Sequence, residues 1–181
     1  MAKTKEQLLN ILDQFQLDEK VVSAEPFGNG HINDTLKVTN EKGEIKYVLQ
    51  RINHLIFTNV DMLQNNIHVV TTHIRKKLEE KGETDIDRKV LTFLPTKDGK
   101  KYYFDGDSYW RVCLFIPRSK SYEEVTPELS YEAGKAFGDF QTMLSDIPEG
   151  TLGETIPDFH NMEFRLKQLR DAVATNAAGR V

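Results

Sequence analysis

The residues that could do chemistry gather around Phe27-Gly28-Asn29-Gly30-His31-Ile32-Asn33-Asp34-Thr35. Two glycines flanking an asparagine let the backbone take φ > 0 and pass close to a ligand. Successive N–H groups in such a turn can point at one place and cradle an anion such as phosphate. A Gly-Asn-Gly turn between two strands is also an ordinary hairpin connection, so the stretch alone leaves both uses open. His31 at the turn could donate to a ligand or stand in solvent. Asn33 is suited to local backbone bonds that fix the turn. Asp34 could meet a hydroxyl or cap the strand end.

The remaining reactive side chains are sparse. The five histidines do not form a metal motif, because His68 and His73 are five apart and miss the i, i+4 spacing that puts two ligands on one helix face. The single cysteine, Cys113, excludes an internal disulfide and fits the cytoplasm. Cys113-Leu114-Phe115-Ile116-Pro117-Arg118 has the letters of a sulfatase signature at the wrong spacing, and Cys113 sits in an apolar run where a thiol is inert. A sulfatase is rejected.

The elements that must position the glycine turn follow from periodicity. Lys5 to Phe15 has apolar residues at helical spacing. Lys20 to Phe27, Asp34 to Thr39 and Ile45 to Ile52 read as strands of an antiparallel meander. A long helix is predicted from Asn59 to Lys81, with Val60, Leu63, Ile67, Val70, Ile74 and Leu78 as its buried stripe and Gly82 as its stop. Val90 to Leu94, Tyr102 to Phe104 and Tyr109 to Ile116 are further strands. Arg118 to Val125 is a polar linker. Helices follow from Thr126 to Leu144, opened by Pro127 at its first position, and from Met162 to Ala177. Strands first and helices last predict an α+β chain. It divides into a first region of residues 1–117 and a second of 118–181, comprising a linker and helices.

The bulk numbers set the class. The 181 residues suffice for a real core, and 39% hydrophobic with 29% charged residues is a soluble, globular balance. A net charge of -4 argues against a nucleic-acid surface, and the apolar runs are too short to span a membrane. Nothing near the N-terminus resembles a signal peptide.

Gly30-His31-Ile32-Asn33-Asp34-Thr35-Leu36-Lys37-Val38 fits the Gly-x-x-Asn-x-x-apolar-x-Val pattern of aminoglycoside phosphotransferase-like kinases, and Tyr47-Val48-Leu49-Gln50-Arg51-Ile52-Asn53 resembles their third strand. Phe27-Gly28-Asn29-Gly30-His31-Ile32-Asn33-Asp34-Thr35, Leu49-Gln50-Arg51-Ile52-Asn53 and Ile156-Pro157-Asp158-Phe159-His160 together resemble one branch, the N-acetylhexosamine 1-kinases, and the resemblance covers nearly the whole chain. The resemblance implies a protein-kinase-like small lobe, with an antiparallel sheet of five or six strands and a long helix, followed by the first helices of a second lobe. It implies transfer of the ATP γ-phosphate, with Mg²⁺, to the anomeric hydroxyl of N-acetylglucosamine or N-acetylgalactosamine.

Carried onto this chain, the resemblance assigns Gly28, Asn29, Gly30 and His31 to the phosphates. It assigns Arg51 to a phosphate contact from the third strand, and Phe115 and Ile116 to the adenine-reading hinge. His31 and Asp34 become candidates for the sugar. A strand-face arginine in solvent is the alternative for Arg51. Gln50 and Arg51 stand where a lysine is usual, and Asn65 and Asn66 stand in mid-helix where its glutamate partner is usual. The H-x-D-x-x-x-x-N motif and later Asp that orient the hydroxyl and hold Mg²⁺ do not occur in these 181 residues. The chain is therefore expected to be the N-terminal part of a cytoplasmic sugar kinase, inactive by itself, with its Mg²⁺ ligands beyond residue 181. It is also expected to expose apolar surface that favours self-association. A non-catalytic kinase-like module that binds a nucleotide or a partner is the competing expectation.

Overall fold

A computed structural model describes residues 3–122 and 124–180; Glu123 of the expected linker, Val181 and the first two residues lie outside them. The chain is α+β, with a six-stranded antiparallel sheet. The helix α1 (Lys5–Leu12) precedes β1 (Val21–Pro26), β2 (Asp34–Asn40) and β3 (Ile45–Ile52). The long α2 (Val60–Glu80) and a 3-10 turn (Ile86–Arg88) lead to β4 (Phe93–Leu94), β5 (Tyr103–Phe104) and β6 (Tyr109–Leu114). Two helices, α3 (Pro127–Leu144) and α4 (Met162–Thr175), complete the described chain. The sheet order is β1-β2-β3-β6-β4, and β5 pairs separately with β6.

Each strand has two faces because successive side chains alternate. Leu36 and Val38 of β2, Tyr47 and Leu49 of β3, and Trp110 and Val112 of β6 form one apolar face. Leu8, Ile11 and Leu12 of α1, with Phe15 just beyond it, cover that face. Thr4 and Gln7 close a reciprocal capping box at the start of α1. Helix α1 stops earlier than its apolar pattern predicts. The chain after it leaves for the loop beyond β4: Phe15 bridges Thr96, and the Gln16 N–H donates to the Pro95 carbonyl at 3.0 Å. Backbone pairing there outweighs a further helical turn.

Helix α2 is capped by Asn59, whose side chain accepts the Met62 N–H at 2.9 Å. Its stripe is only partly as predicted. Val60, Ile74 and Leu78 are buried, Leu63, Ile67 and Val70 are half-buried, and the polar Gln64 is among the most enclosed positions. Only Phe93 and Leu94 of the predicted strand from Val90 pair with β6, because the chain before them coils into the 3-10 turn. Among the described residues no helix is long and apolar enough to cross a membrane.

Candidate functional site

The glycine turn joins β1 to β2, so the sheet itself sets its place. Gly28 has φ +79, the left-handed region that a side chain disfavours, and a Cβ there would meet nothing within 4 Å. Glycine is thus needed at 28 for backbone shape and not for packing. The turn is anchored at its base. The Phe27 N–H donates to the Thr35 carbonyl at 2.9 Å, and the Asn33 side chain accepts the Asn53 N–H from the end of β3 at 3.0 Å. Asn33 therefore fixes the turn, as its residue type suggests. Asn29 and His31 are exposed at its tip.

The predicted site residues fall on two sides of the sheet. Asp34 pairs directly with Arg51 across β2 and β3, in the same alternation as Leu36 opposite Leu49 and Val38 opposite Tyr47. Both therefore belong to the α1 face. The Arg51 Nε donates to Asp34 Oδ2 at 2.6 Å, and its Nη2 lies 2.5 Å from the same oxygen. Arg51, Asp34, Gly28 and Gly30 line a cleft of about 730 Å³ floored by Leu36 and Trp110. Phe115 and Ile116 do not line it. Phe115 follows Arg111 and Cys113 in the alternation of β6, which puts it on the opposite face. There its ring meets Phe27 edge-on, 5.9 Å between centroids. Phe27 and Phe115 thus draw the root of the glycine turn toward the end of β6.

That opposite face also carries a polar row that sequence reasoning missed. Thr35, Gln50 and Arg111 are register partners on β2, β3 and β6. The Gln50 Nε2 donates to Thr35 Oγ1 at 3.1 Å, and the Arg111 Nε donates to Gln50 Oε1 at 3.0 Å. The Arg111 guanidinium lies over the Phe93 ring, 5.2 Å from its centroid. Burial pulls Arg111 below its ordinary value, while Cys113 raises it slightly. Burial pushes the neighbouring Cys113 thiol up to about 11, against a smaller lowering by Arg111, so it is neutral at pH 7. The signal for this row was available: Arg111 interrupts Tyr109-Trp110-Arg111-Val112-Cys113-Leu114, an otherwise apolar run.

The second region is tied to α2. The Asn66 side chain exchanges two hydrogen bonds with Gly153, donating to its carbonyl at 2.6 Å and accepting its N–H at 3.0 Å. Lys77 donates to the Met143 carbonyl at 2.7 Å and pairs with Asp146, which His73 also contacts at 2.9 Å. Lys77 and then His73 hold the Asp146 carboxyl down at about 2. Among the described residues no group of three or more histidines, cysteines and acids is placed to hold a metal ion. Compared with models of known protein families, the sequence matches none.

Proposed function

We propose that this chain is the nucleotide-holding lobe of an ATP-dependent sugar kinase that phosphorylates the anomeric hydroxyl of an N-acetylhexosamine. One arrangement carries the reading. A glycine turn joins the first two strands of an antiparallel sheet ordered β1-β2-β3-β6-β4, one long helix is inserted between β3 and β4, and a linker leaves β6 for helices. In that arrangement a turn can cover phosphates with backbone N–H groups, while the chain after β6 reads a base through its backbone. ATP supplies the phosphoryl group. The chain's part is to bind and orient it, since phosphoryl transfer is largely positioning and charge stabilisation.

The groups that would orient the sugar hydroxyl and hold Mg²⁺ are assigned outside these 181 residues, so the chain alone is expected to bind nucleotide without turnover. The missing H-x-D-x-x-x-x-N pattern also favours a second reading, a kinase-like module that binds nucleotide and does no chemistry. ADP release by the protein that carries this chain, measured against N-acetylglucosamine, N-acetylgalactosamine, their parent hexoses and an aminoglycoside, separates them. Turnover that requires an N-acetylhexosamine supports the kinase. ATP binding without turnover on any sugar transfers the assignment to the module, and loss of ATP binding sinks both.

A further inference from the structure

Arg111 is a charge without a counter-charge. It forms no ion pair among the described residues, and its one side-chain hydrogen bond, through Nε, goes to the neutral amide of Gln50. Its Nη1 is enclosed and has no partner. The thiol of Cys113, next on the same face, is neutral and cannot compensate it. Arg111 is half-buried, and its enclosed Nη1 is a charged donor left unmatched, which costs stability unless something else completes it.

A second unmatched donor belongs to α2. Gln64 of α2 is 3% exposed, and its Nε2 has no hydrogen-bond partner. Gln64 and Phe93 line one cleft between α2 and β4, and Arg111 sits over the Phe93 ring. No acid lines that cleft, whereas Arg75 and Lys101 do. Phe93 thus carries the Arg111 guanidinium over its ring and lines the cleft that Gln64 also lines, and the unmatched atoms of both polar residues are donors. A ligand that satisfies them must be an acceptor, and the guanidinium makes it an anion.

We propose that Arg111, oriented by Gln50 and assisted by Gln64, binds a phosphate group of a nucleotide on the sheet face opposite α1. The identity of the ligand rests on the kinase reading; the need for an anion does not. The polar row starts at Thr35, directly after the glycine turn, and ends at Arg111. Four residues further along β6 from Arg111, roughly 13 Å at ~3.3 Å per residue, stands Phe115, whose ring meets that of Phe27 beside Thr35. An aromatic end and a cationic end on one face suit a base and its phosphate tail. In protein kinases the phosphate-holding lysine stands on the third strand and pairs with a helix glutamate. Here the third strand offers Gln50, which is a positioning residue, and the cation has moved to the neighbouring strand.

Calorimetric binding of ATP and of inorganic tripolyphosphate, with melting temperatures, tests this on wild type, Arg111→Gln, Gln50→Glu and Arg51→Gln. Arg111→Gln is expected to weaken both ligands by about tenfold or more, the scale of a lost charged hydrogen bond. Gln50→Glu supplies the missing carboxylate, so it is expected to raise the melting temperature and yet weaken both ligands. A higher melting temperature with unchanged affinities would show that Arg111 only packs, and this variant is the one read if Arg111→Gln does not fold. Unchanged affinities in Arg111→Gln or Gln50→Glu, or a loss that follows Arg51→Gln alone, overturn the proposal and leave the kinase reading standing if ATP still binds. Tripolyphosphate binding that depends on Arg111, without ATP binding, upholds the anion site and rejects the kinase reading. Wild-type protein that binds neither overturns the proposal.

Discussion

The sheet region and the helical region exclude water to very different extents. Around α1, Leu12, Val38, Leu49 and Val112 are all fully enclosed. Neither α3 nor α4 buries a single residue. Tyr131 and Phe137 of α3 are each 71% exposed, and Met162 of α4 is 76% exposed. Yet both helices are well specified locally: Thr126 and Asn161 each cap a helix with a side-chain acceptor, and Pro127 opens α3 at its first turn. Capping determines where a helix starts, but tertiary burial determines how much it contributes to stability. The sheet region has both; the helical region has the first and borrows the second from α2, through Met143 and Leu144 against Ile74 and Leu78.

If that contrast is right, Leu12→Ala should cost about 2–5 kcal/mol, because it leaves a cavity between α1 and the sheet. A urea midpoint unchanged from wild type would break the comparison at its strongest point. The next effect is pH-dependent. Burial acts to raise the Asp105 carboxyl, but Lys3, the Ser108 and Asp107 N–H groups and Trp110 outweigh it and lower it from 3.8 to about 2. A folded value below the unfolded one stabilises above about pH 4, and that stability is lost as pH falls toward about 2. Between pH 7 and pH 2, about 2 kcal/mol should disappear through this group. Asp105→Asn should flatten that part of the urea-midpoint profile; an identical profile would show that the carboxylate is not what holds Trp110.

A smaller effect is expected where the two regions meet. Lys77→Ala removes the donor to Met143 and the partner of Asp146. Hydrogen exchange should quicken across the C-terminal half of α3 while the α1 face keeps its protection. Equal quickening on both would mean that the regions unfold as one. The smallest effect is expected at α4. Leu169→Ala should change stability by no more than about 0.5 kcal/mol, since the residue is largely exposed. It should still lower any concentration-dependent light scattering, because an apolar face is what such association would use. A large loss of stability there would show that α4 is covered in solution.

Much of the fold was legible in the residues. Ile45 to Ile52 emerges as a strand with its predicted ends, and Asn59, Gly82, Thr126 and Pro127 mark helix boundaries through local chemistry that needs no tertiary information. Phe15 was misassigned because its pairing with Thr96, far along the chain, outweighed its helical periodicity, and Val90 because its N–H is taken by the Ile86 carbonyl in the turn before it. The candidate site was less legible, since adjacent residues on a strand point opposite ways. Arg51 follows Leu49 onto the α1 face and meets Asp34, while Gln50 looks the other way toward Arg111. Whether a strand arginine is solvated or enclosed depends on α2 and β4, far away in sequence.

The paired hydrogen bonds between Asn66 and Gly153 have a mechanical meaning. They pin the loop after α3 to α2 at a point where a Cβ on residue 153 would lie 2.5 Å from Met62 Sδ. Near the other end of that interface Lys77 is a second pin. Two pins on one helix resist torque as one cannot. Any swing of α3 against the sheet must therefore carry α2 with it as an axle. The gap it would open or close first is the one beside Gln64.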